Sequence, residues 1–182
     1  FFNESTSMGY LERLGFDNKT ANNWSVCGCT EVVAQGQTDF QSQMGYYNTI
    51  KVLEMALNDG MDPVTKQQLG PHTGDARTFT SMEQVKEAYL KQQEFFIDRY
   101  IRLFNKMVSC HAYAVPTITG SCFTEGCIKN GRVLQQKGCD NRWSAIGVTG
   151  LANVTDSLTA IEVCVFNKHY MTMAELMDLL ET

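Results

Sequence analysis

One long amphipathic helix constrains the fold of this chain more than any other feature. Two overlapping capping patterns, Thr80-x-x-Glu83 and Ser81-x-x-Gln84, precede apolar residues that recur at steps of three and four. The periodic pattern runs to Cys110, which predicts a helix of about 30 residues. A helix this long does not stand free in water, because its apolar stripe must be buried. We therefore expect it to pack along a large body.

The rest of the chain predicts further helices and a few short strands. A strand interrupted by a tight loop is expected over residues 26–33, where β-branched residues surround a glycine. Helices are expected near residues 7–14, 41–58, 124–136 and 152–166 and after the capping box Thr172-x-x-Glu175, with an extended segment at 143–148. Two or three short strands do not make a sheet alone, so their partners are expected elsewhere.

Composition excludes several classes of protein. The chain has 182 residues, with 15 basic and 20 acidic side chains and a net charge of −5. This acidic balance argues against a nucleic-acid binder or a protein of anionic membranes. No apolar run approaches the roughly 18 residues of a membrane span.

The ends of the chain suggest a part of a larger protein. The sequence opens on Phe1 with no initiator Met and closes inside a helical pattern with no stop signal. No linker composition or internal repeat divides it. We expect residues 1–182 to be one incomplete segment of a longer catalytic domain.

The seven cysteines predict neither a disulfide framework nor a zinc site. Their number is odd and their spacing scattered, and no Cys-x-x-Cys pair occurs. Most are expected to be small buried apolar side chains in a reduced cytoplasm. A cysteine held in a turn beside a titratable partner would be the exception.

Cys29 and Glu31 form such a pair. On an extended backbone, residues two apart project to one side, roughly 6.5–7 Å from each other. A neighbouring carboxylate disfavours a thiolate, so this sulfur is not suited to hydrolytic chemistry. A neutral S–H can instead give up a hydrogen atom while the carboxylate handles a proton. The alternative is a small buried thiol beside a solvated loop acid, within a non-catalytic helical module.

The stretch Gly28-Cys29-Thr30-Glu31 resembles the Gly-Cys-Val-Glu active-site loop of glycyl radical enzymes. Further stretches resemble this family in the same order along the chain: Gly36-Gln37-Thr38-Asp39, Leu57-Asn58-Asp59-Gly60-Met61-Asp62, Gly70-Pro71-His72-Thr73-Gly74-Asp75, Cys127-Ile128-Lys129-Asn130-Gly131 and Ala152-Asn153-Val154-Thr155-Asp156-Ser157-Leu158. The resemblance covers nearly all of the chain.

This resemblance implies an α/β fold, a helix-rich fragment of a ten-stranded α/β barrel with Cys29 on a central loop. It implies a protein-based glycyl radical on a second loop, outside this fragment, since no Arg-Val-x-Gly-Tyr stretch occurs here. Cys29 would become a thiyl radical that attacks a small-molecule substrate. The implied partner is an activating enzyme that uses S-adenosylmethionine and an iron–sulfur cluster. We expect no metal in this chain, a homo-oligomer and an anaerobic cytoplasm.

The residues around Cys29 indicate which branch of the family the chain most resembles. Gly28 separates Cys27 from Cys29, which is unlike the adjacent cysteines of the pyruvate formate-lyase branch, and the benzylsuccinate synthase branch lacks a glutamate at the position of Glu31. Val32 stands where dehydratase-type loops usually carry Pro. The loop therefore most resembles 4-hydroxyphenylacetate-type arylacetate decarboxylases, with a radical diol dehydratase or C–N lyase as the alternative.

Glu162 is a third candidate, for substrate binding. It lies in the apolar helical run Leu158–Phe166, where a carboxylate must be paired, protonated or wetted by a pocket. An ion pair or a solvent-facing helix side is the structural alternative. A polar contact to a substrate hydroxyl or acid group is the functional one.

Overall fold

The structure, a computed structural model, describes residues 2–41 and 45–181. The eight helices of this part are α1 (Glu4–Arg13), α2 (Asn18–Asn22), α3 (Thr49–Leu57), α4 (Met82–Ala114), α5 (Ile118–Cys122), α6 (Cys127–Asn130), α7 (Leu151–Ile161) and α8 (Met173–Leu180). Its six strands are β1 (Trp24–Cys27), β2 (Glu31–Ala34), β3 (Thr38–Gln41), β4 (Tyr46–Asn48), β5 (Asn141–Ser144) and β6 (Gly147–Thr149).

The strands of the described segments form three separate pairs. β1 and β2 are antiparallel neighbours, β3 and β5 run parallel, and β4 pairs with β6. Each pair is two-stranded, which agrees with the expectation that these short strands would not build a full sheet among themselves.

The predicted long helix is present as α4, which has 33 residues. At 1.5 Å per residue it is about 50 Å long. Of the two overlapping capping patterns, the one that includes Gln84 is used. The Gln84 side-chain oxygen accepts hydrogen bonds from the N–H groups of Thr80 (2.7 Å) and Ser81 (3.2 Å). The helix runs past Cys110 to Ala114.

The helix predicted over residues 41–58 is shorter than expected. Helix α3 begins at Thr49, because Asn48 caps it by accepting a hydrogen bond from the N–H of Lys51. Strands β3 and β4 precede it. Met44, which the pattern assigned to this helix, lies outside the described residues.

The helix predicted over residues 124–136 is broken by two glycines. Gly126 has φ +91° and lies directly before α6, and Gly131 ends α6 in the left-handed conformation at φ +60°. The chain then forms a short 3-10 turn at Leu134–Gln136. The other predicted helices are confirmed close to their predicted positions, with α1 starting earlier and α7 continuing as a π-helical turn at Glu162–Asn167. The short helices α2 and α5 were not predicted.

By its internal packing the chain divides into two compact units. The first comprises Phe1–Gly45 and Phe104–Gly147, and the second Tyr46–Leu103 and Val148–Thr182. The first has a small core of three buried residues, Leu11, Ala21 and Ala34, packed against aromatic side chains. The second has a larger aliphatic core formed by α3, α7, α8 and the start of α4. None of the helices in the described ranges is long and apolar enough to cross a membrane.

Candidate functional site

Cys29 lies at the tip of the β1–β2 hairpin. The last residue of β1, Cys27, pairs with the first residue of β2, Glu31, so residues 28–30 form the turn. Gly28 has φ +65°, a left-handed conformation that suits glycine in such a short hairpin loop. Cys29 is exposed. The expected strand interrupted by a tight loop is confirmed, because the chain reverses between β1 and β2.

The Glu31 carboxylate folds back onto this turn. It accepts a hydrogen bond of 2.9 Å from the N–H of Thr30. This hydrogen bond lowers the pKa of Glu31, partial burial opposes it, and the N–H groups of Glu31 and Cys29 lower it further. The turn therefore gathers Cys29 and an ionised Glu31 within three consecutive residues.

Thr30 and Glu31 line a cleft of about 590 Å³ in the first unit. Residues of helix α1, including Tyr10 and Arg13, line the same cleft together with Trp143 of β5. Sequence reasoning missed Thr30, Tyr10 and Arg13. Tyr10 and Arg13 are three residues apart and so share a helix face, which is the one local signal that groups them.

The other cysteines take ordinary structural positions. Cys127 and Cys139 are buried, but Cys27 and Cys164 are half-buried and Cys110 and Cys122 are exposed, so the prediction that most of the seven are buried is wrong. Burial raises the pKa of both thiols. Within residues 2–41 and 45–181, no group of three or more histidine, cysteine or acidic side chains is placed to hold a metal ion.

Glu162 lies in the second unit, at the first position of the π-helical turn. It is exposed, so its carboxylate is hydrated rather than buried in the apolar helical run. A cavity of about 760 Å³ is lined by its neighbours Ile161, Cys164 and Val165, but Glu162 is not among the lining residues. Its role in substrate binding stays a prediction.

Two of the ordered sequence motifs have structural roles. Asp39, in the Gly-Gln-Thr-Asp stretch, faces Arg142 on the neighbouring strand, with Nε and Oδ2 3.1 Å apart. Asp59 accepts hydrogen bonds from the N–H groups of Thr73 (2.6 Å) and Gly74 (2.7 Å), and His72 Nδ1 lies 2.7 Å from its other oxygen. Asp59 therefore holds the turn of the Gly-Pro-His-Thr-Gly-Asp loop.

Comparison with known proteins identifies related enzymes along the whole chain. The family model described as pyruvate formate lyase-like matches residues 1–182. Trans-4-hydroxy-L-proline dehydratase of Clostridioides difficile is 33% identical over 181 residues, which is 100% of this chain and 23% of that protein. Indoleacetate decarboxylase of Tractidigestivibacter scatoligenes is 29% identical over 168 residues, covering 92% of this chain and 19% of that protein.

Solved structures give the same result for the fold. The crystal structure of the C. difficile hydroxyproline dehydratase superposes with a TM-score of 0.92 at 33% identity, over 100% of this chain and 23% of that one. A structure concerning 1,2-propanediol dehydration in Roseburia inulinivorans gives a TM-score of 0.93 at 30% identity, over 99% of this chain and 22% of that one. The predicted helix-rich α/β segment of a glycyl radical enzyme barrel is confirmed.

The comparisons do not single out the decarboxylase branch that the loop residues predicted. Dehydratases and a decarboxylase match with similar identity, between 29% and 33%. The chain spans about a quarter of the length of these relatives. On the whole-chain match and the shared fold, this chain belongs to the pyruvate formate lyase-like family, that of the glycyl radical enzymes.

Proposed function

We propose that this chain carries the cysteine loop of a glycyl radical lyase, with Cys29 as the hydrogen-abstracting residue and Glu31 as the proton acceptor. One observation carries the proposal. The exposed Cys29 and the Glu31 carboxylate share one hairpin turn, and the N–H of Thr30 keeps that carboxylate ionised. An ionised carboxylate accepts protons and does not donate them, which suits a general base.

Because Cys29 is exposed at the tip of the turn, a radical on another part of the complete protein can reach its sulfur. In the proposed reaction, Cys29 first gives its S–H hydrogen atom to a protein-based glycyl radical outside this chain, which an S-adenosylmethionine-dependent iron–sulfur activating enzyme generates, and so becomes a thiyl radical. Cys29 then takes a hydrogen atom from a carbon or acid group of the substrate. A group leaves the substrate radical while Glu31 accepts a proton from the substrate or from the sulfur side and later returns it, and the product radical takes a hydrogen atom from the Cys29 S–H, which restores the thiyl radical. Sulfur ends as it began, so the cycle balances.

For the leaving group, we propose carbon dioxide from an arylacetate such as 4-hydroxyphenylacetate. Val32, in place of the proline of dehydratase-type loops, supports this branch. The indoleacetate decarboxylase relative supports it as well. We further propose that the complete protein is a homo-oligomer in an anaerobic cytoplasm.

Radical dehydration is the second candidate, and two observations favour it. The relative that acts on trans-4-hydroxy-L-proline matches the entire chain at 33% identity, and a structure concerning 1,2-propanediol dehydration has a TM-score of 0.93. The ionised Glu31 suits this reaction too, because it can take a proton from a heteroatom beside the radical carbon and pass it to the departing hydroxyl, which then leaves as water.

The test uses the complete polypeptide that contains this chain, activated without oxygen. Cys29→Ala should form the glycyl radical signal in electron paramagnetic resonance but lose turnover. Cys110→Ala, which removes an exposed thiol on α4, is the matched control and should keep it. Carbon dioxide from 4-hydroxyphenylacetate supports decarboxylation, and a dehydrated product from hydroxyproline or a diol supports dehydration. Turnover by Cys29→Ala would refute the catalytic role and favour a non-catalytic module.

A further inference from the structure

The cleft beside Glu31 combines two opposite charges. Arg13 stands in the last turn of α1 and lines the cleft with Thr30 and Glu31. No carboxylate of the described segments lies within 4 Å of the Arg13 guanidinium, so Arg13 and Glu31 share the cleft without neutralising each other. The cation is therefore available to a ligand.

One wall of the cleft is aromatic. Trp143 and Phe40 both line it, and their ring centroids lie 6.2 Å apart. Tyr10 lies one helical turn from Arg13 on α1 and also lines the cleft. Flat ring faces offer large contact area to a planar or cyclic molecule. The lining thus offers a cation, a ring-sized apolar wall and a proton-accepting carboxylate.

These features fit a small cyclic organic acid. A guanidinium group presents parallel N–H donors that match the two oxygens of a carboxylate, and the paired interaction is stronger than one between neutral groups. A neutral diol can accept hydrogen bonds through its hydroxyl oxygens, but it lacks the negative charge of a carboxylate. The charge at Arg13 also offsets the repulsion that the ionised Glu31 would exert on an anionic substrate.

We propose that Arg13 is a specificity-determining residue that binds the carboxylate of a cyclic or aromatic acid substrate, whose ring lies on the Trp143 wall beside the Thr30–Glu31 turn. The proposal rests on the proposed function, since it takes Glu31 to face substrate. It covers both an arylacetate and a cyclic amino acid, which share the carboxylate, and it excludes a simple diol as the preferred substrate.

Binding to the complete polypeptide before activation tests the proposal. Calorimetric titration with 4-hydroxyphenylacetate, trans-4-hydroxy-L-proline and 1,2-propanediol gives the dissociation constants. Comparison of the two acids shows whether the site prefers an arylacetate or a cyclic amino acid. Arg13→Gln should weaken binding of the acid that the wild type prefers by roughly tenfold or more, because a charged hydrogen-bonded pair is lost. Arg13→Lys should keep part of the affinity, since lysine keeps the positive charge but lacks the parallel N–H donors of the guanidinium group.

Arg132→Gln is the matched control, because Arg132 is an exposed arginine of the same unit and lines none of the described cavities. It should leave all three constants unchanged, and thermal melting should show Arg13→Gln to be folded. The proposal is overturned if the wild type binds neither acid, if it prefers the diol, or if Arg13→Gln binds the acids unchanged. Because no radical is needed, this result is independent of the turnover of Cys29→Ala.

Discussion

The carboxylate of Glu31 accepts a hydrogen bond from the N–H of Thr30, its own neighbour in the chain, at 2.9 Å. This contact holds the acid against the turn that presents Cys29. It also lowers the pKa of Glu31 below its ordinary value of 4.5. A base that stays ionised at every physiological pH is ready to accept a proton in each catalytic cycle.

Glu31→Gln should therefore strongly reduce catalysis without unfolding the turn. The amide oxygen of glutamine can still accept the hydrogen bond from Thr30, but it cannot accept a proton. We expect turnover of the activated complete enzyme to fall roughly a hundredfold or more, while the glycyl radical still forms. Glu125→Gln, at an exposed acid of the same unit, should have no effect. Wild-type turnover by Glu31→Gln would remove Glu31 from the mechanism.

The pH dependence of turnover follows from the direction of the same shift. Since the pKa of Glu31 is lowered, its carboxylate stays ionised as the pH falls to the ordinary value of 4.5 and protonates only below it. The rate should therefore show no Glu31-dependent acid limb above pH 4.5. A pH profile of kcat/KM, compared between wild type and Glu31→Gln, measures this. An acid limb near neutrality that disappears in the variant would contradict the result expected.

Local signals in the sequence predicted those features that depend on neighbouring residues. Thr172 and Glu175 form both hydrogen bonds of their predicted capping box. The pairing of a cysteine with a glutamate in one short loop also followed from local chemistry. The tight loop followed from the glycine at position 28, but the hydrogen bond from the N–H of Thr30 to Glu31 did not, because it depends on the side-chain conformation of Glu31.

Contacts between distant segments could not be read from local patterns. Asp39 and Arg142 meet because β3 and β5 are parallel neighbours, a pairing that requires the whole intervening chain. Arg13 reaches the cleft of Glu31 through the packing of α1 against β2, and nothing in the spacing of Arg13 and Glu31 signals it. The fold of the segment was predicted through family motifs. The cleft was not, because its lining residues come from segments that are distant in the sequence.

Asp59 should be one of the more sensitive positions in the second unit. It has φ +51° and binds two backbone N–H groups of the 73–74 turn, so Asp59→Ala leaves both without an acceptor. We expect a loss of about 2 kcal/mol or more in the free energy of unfolding, measured by urea denaturation. His72→Ala should cost less than about 1 kcal/mol, because its side-chain contact with Asp59 is exposed to water. Equal losses in both variants would argue against the turn-clamping role.

Acid should weaken the same clamp. Burial raises the pKa of Asp59, but hydrogen bonds from His72, Gly74 and Thr73 outweigh it, and the net shift is downward from 3.8. A lowered pKa in the folded state means that the stabilisation is complete above pH 3.8 and is lost as the pH falls through the lower folded-state value. The difference in stability between wild type and Asp59→Ala should shrink below about pH 3.8. A difference that grows in acid would contradict this.

Two glycines with positive φ should respond differently to the same substitution. A Cβ on Gly60 (φ +79°) would lie 2.4 Å from the Pro71 carbonyl oxygen, whereas a Cβ on Gly131 (φ +60°) meets nothing within 4 Å. Gly131→Ala should cost about 1 kcal/mol, the strain of a left-handed alanine. Gly60→Ala should cost about 1–3 kcal/mol more, because backbone atoms must move. Thermal melting of both variants measures the difference. Similar melting temperatures would show that the backbone at Pro71 can move away from the added methyl group at little cost.

The Asp39–Arg142 pair should behave as a coupled unit. Both side chains are largely buried, 8% and 15% exposed, and burial raises the pKa of Asp39 although Arg142 opposes it. Arg142 Nη2 has no hydrogen-bond partner in the described part of the chain, so the pair is incompletely satisfied. Arg142→Met or Asp39→Leu alone leaves an unpaired buried charge and should cost about 3–5 kcal/mol. The double variant should lose much less than the sum, since removal of both charges also removes their desolvation cost. Urea denaturation of the wild type, the two single variants and the double variant completes this double-mutant cycle. Additive losses in the free energy of unfolding would mean that the two groups do not interact.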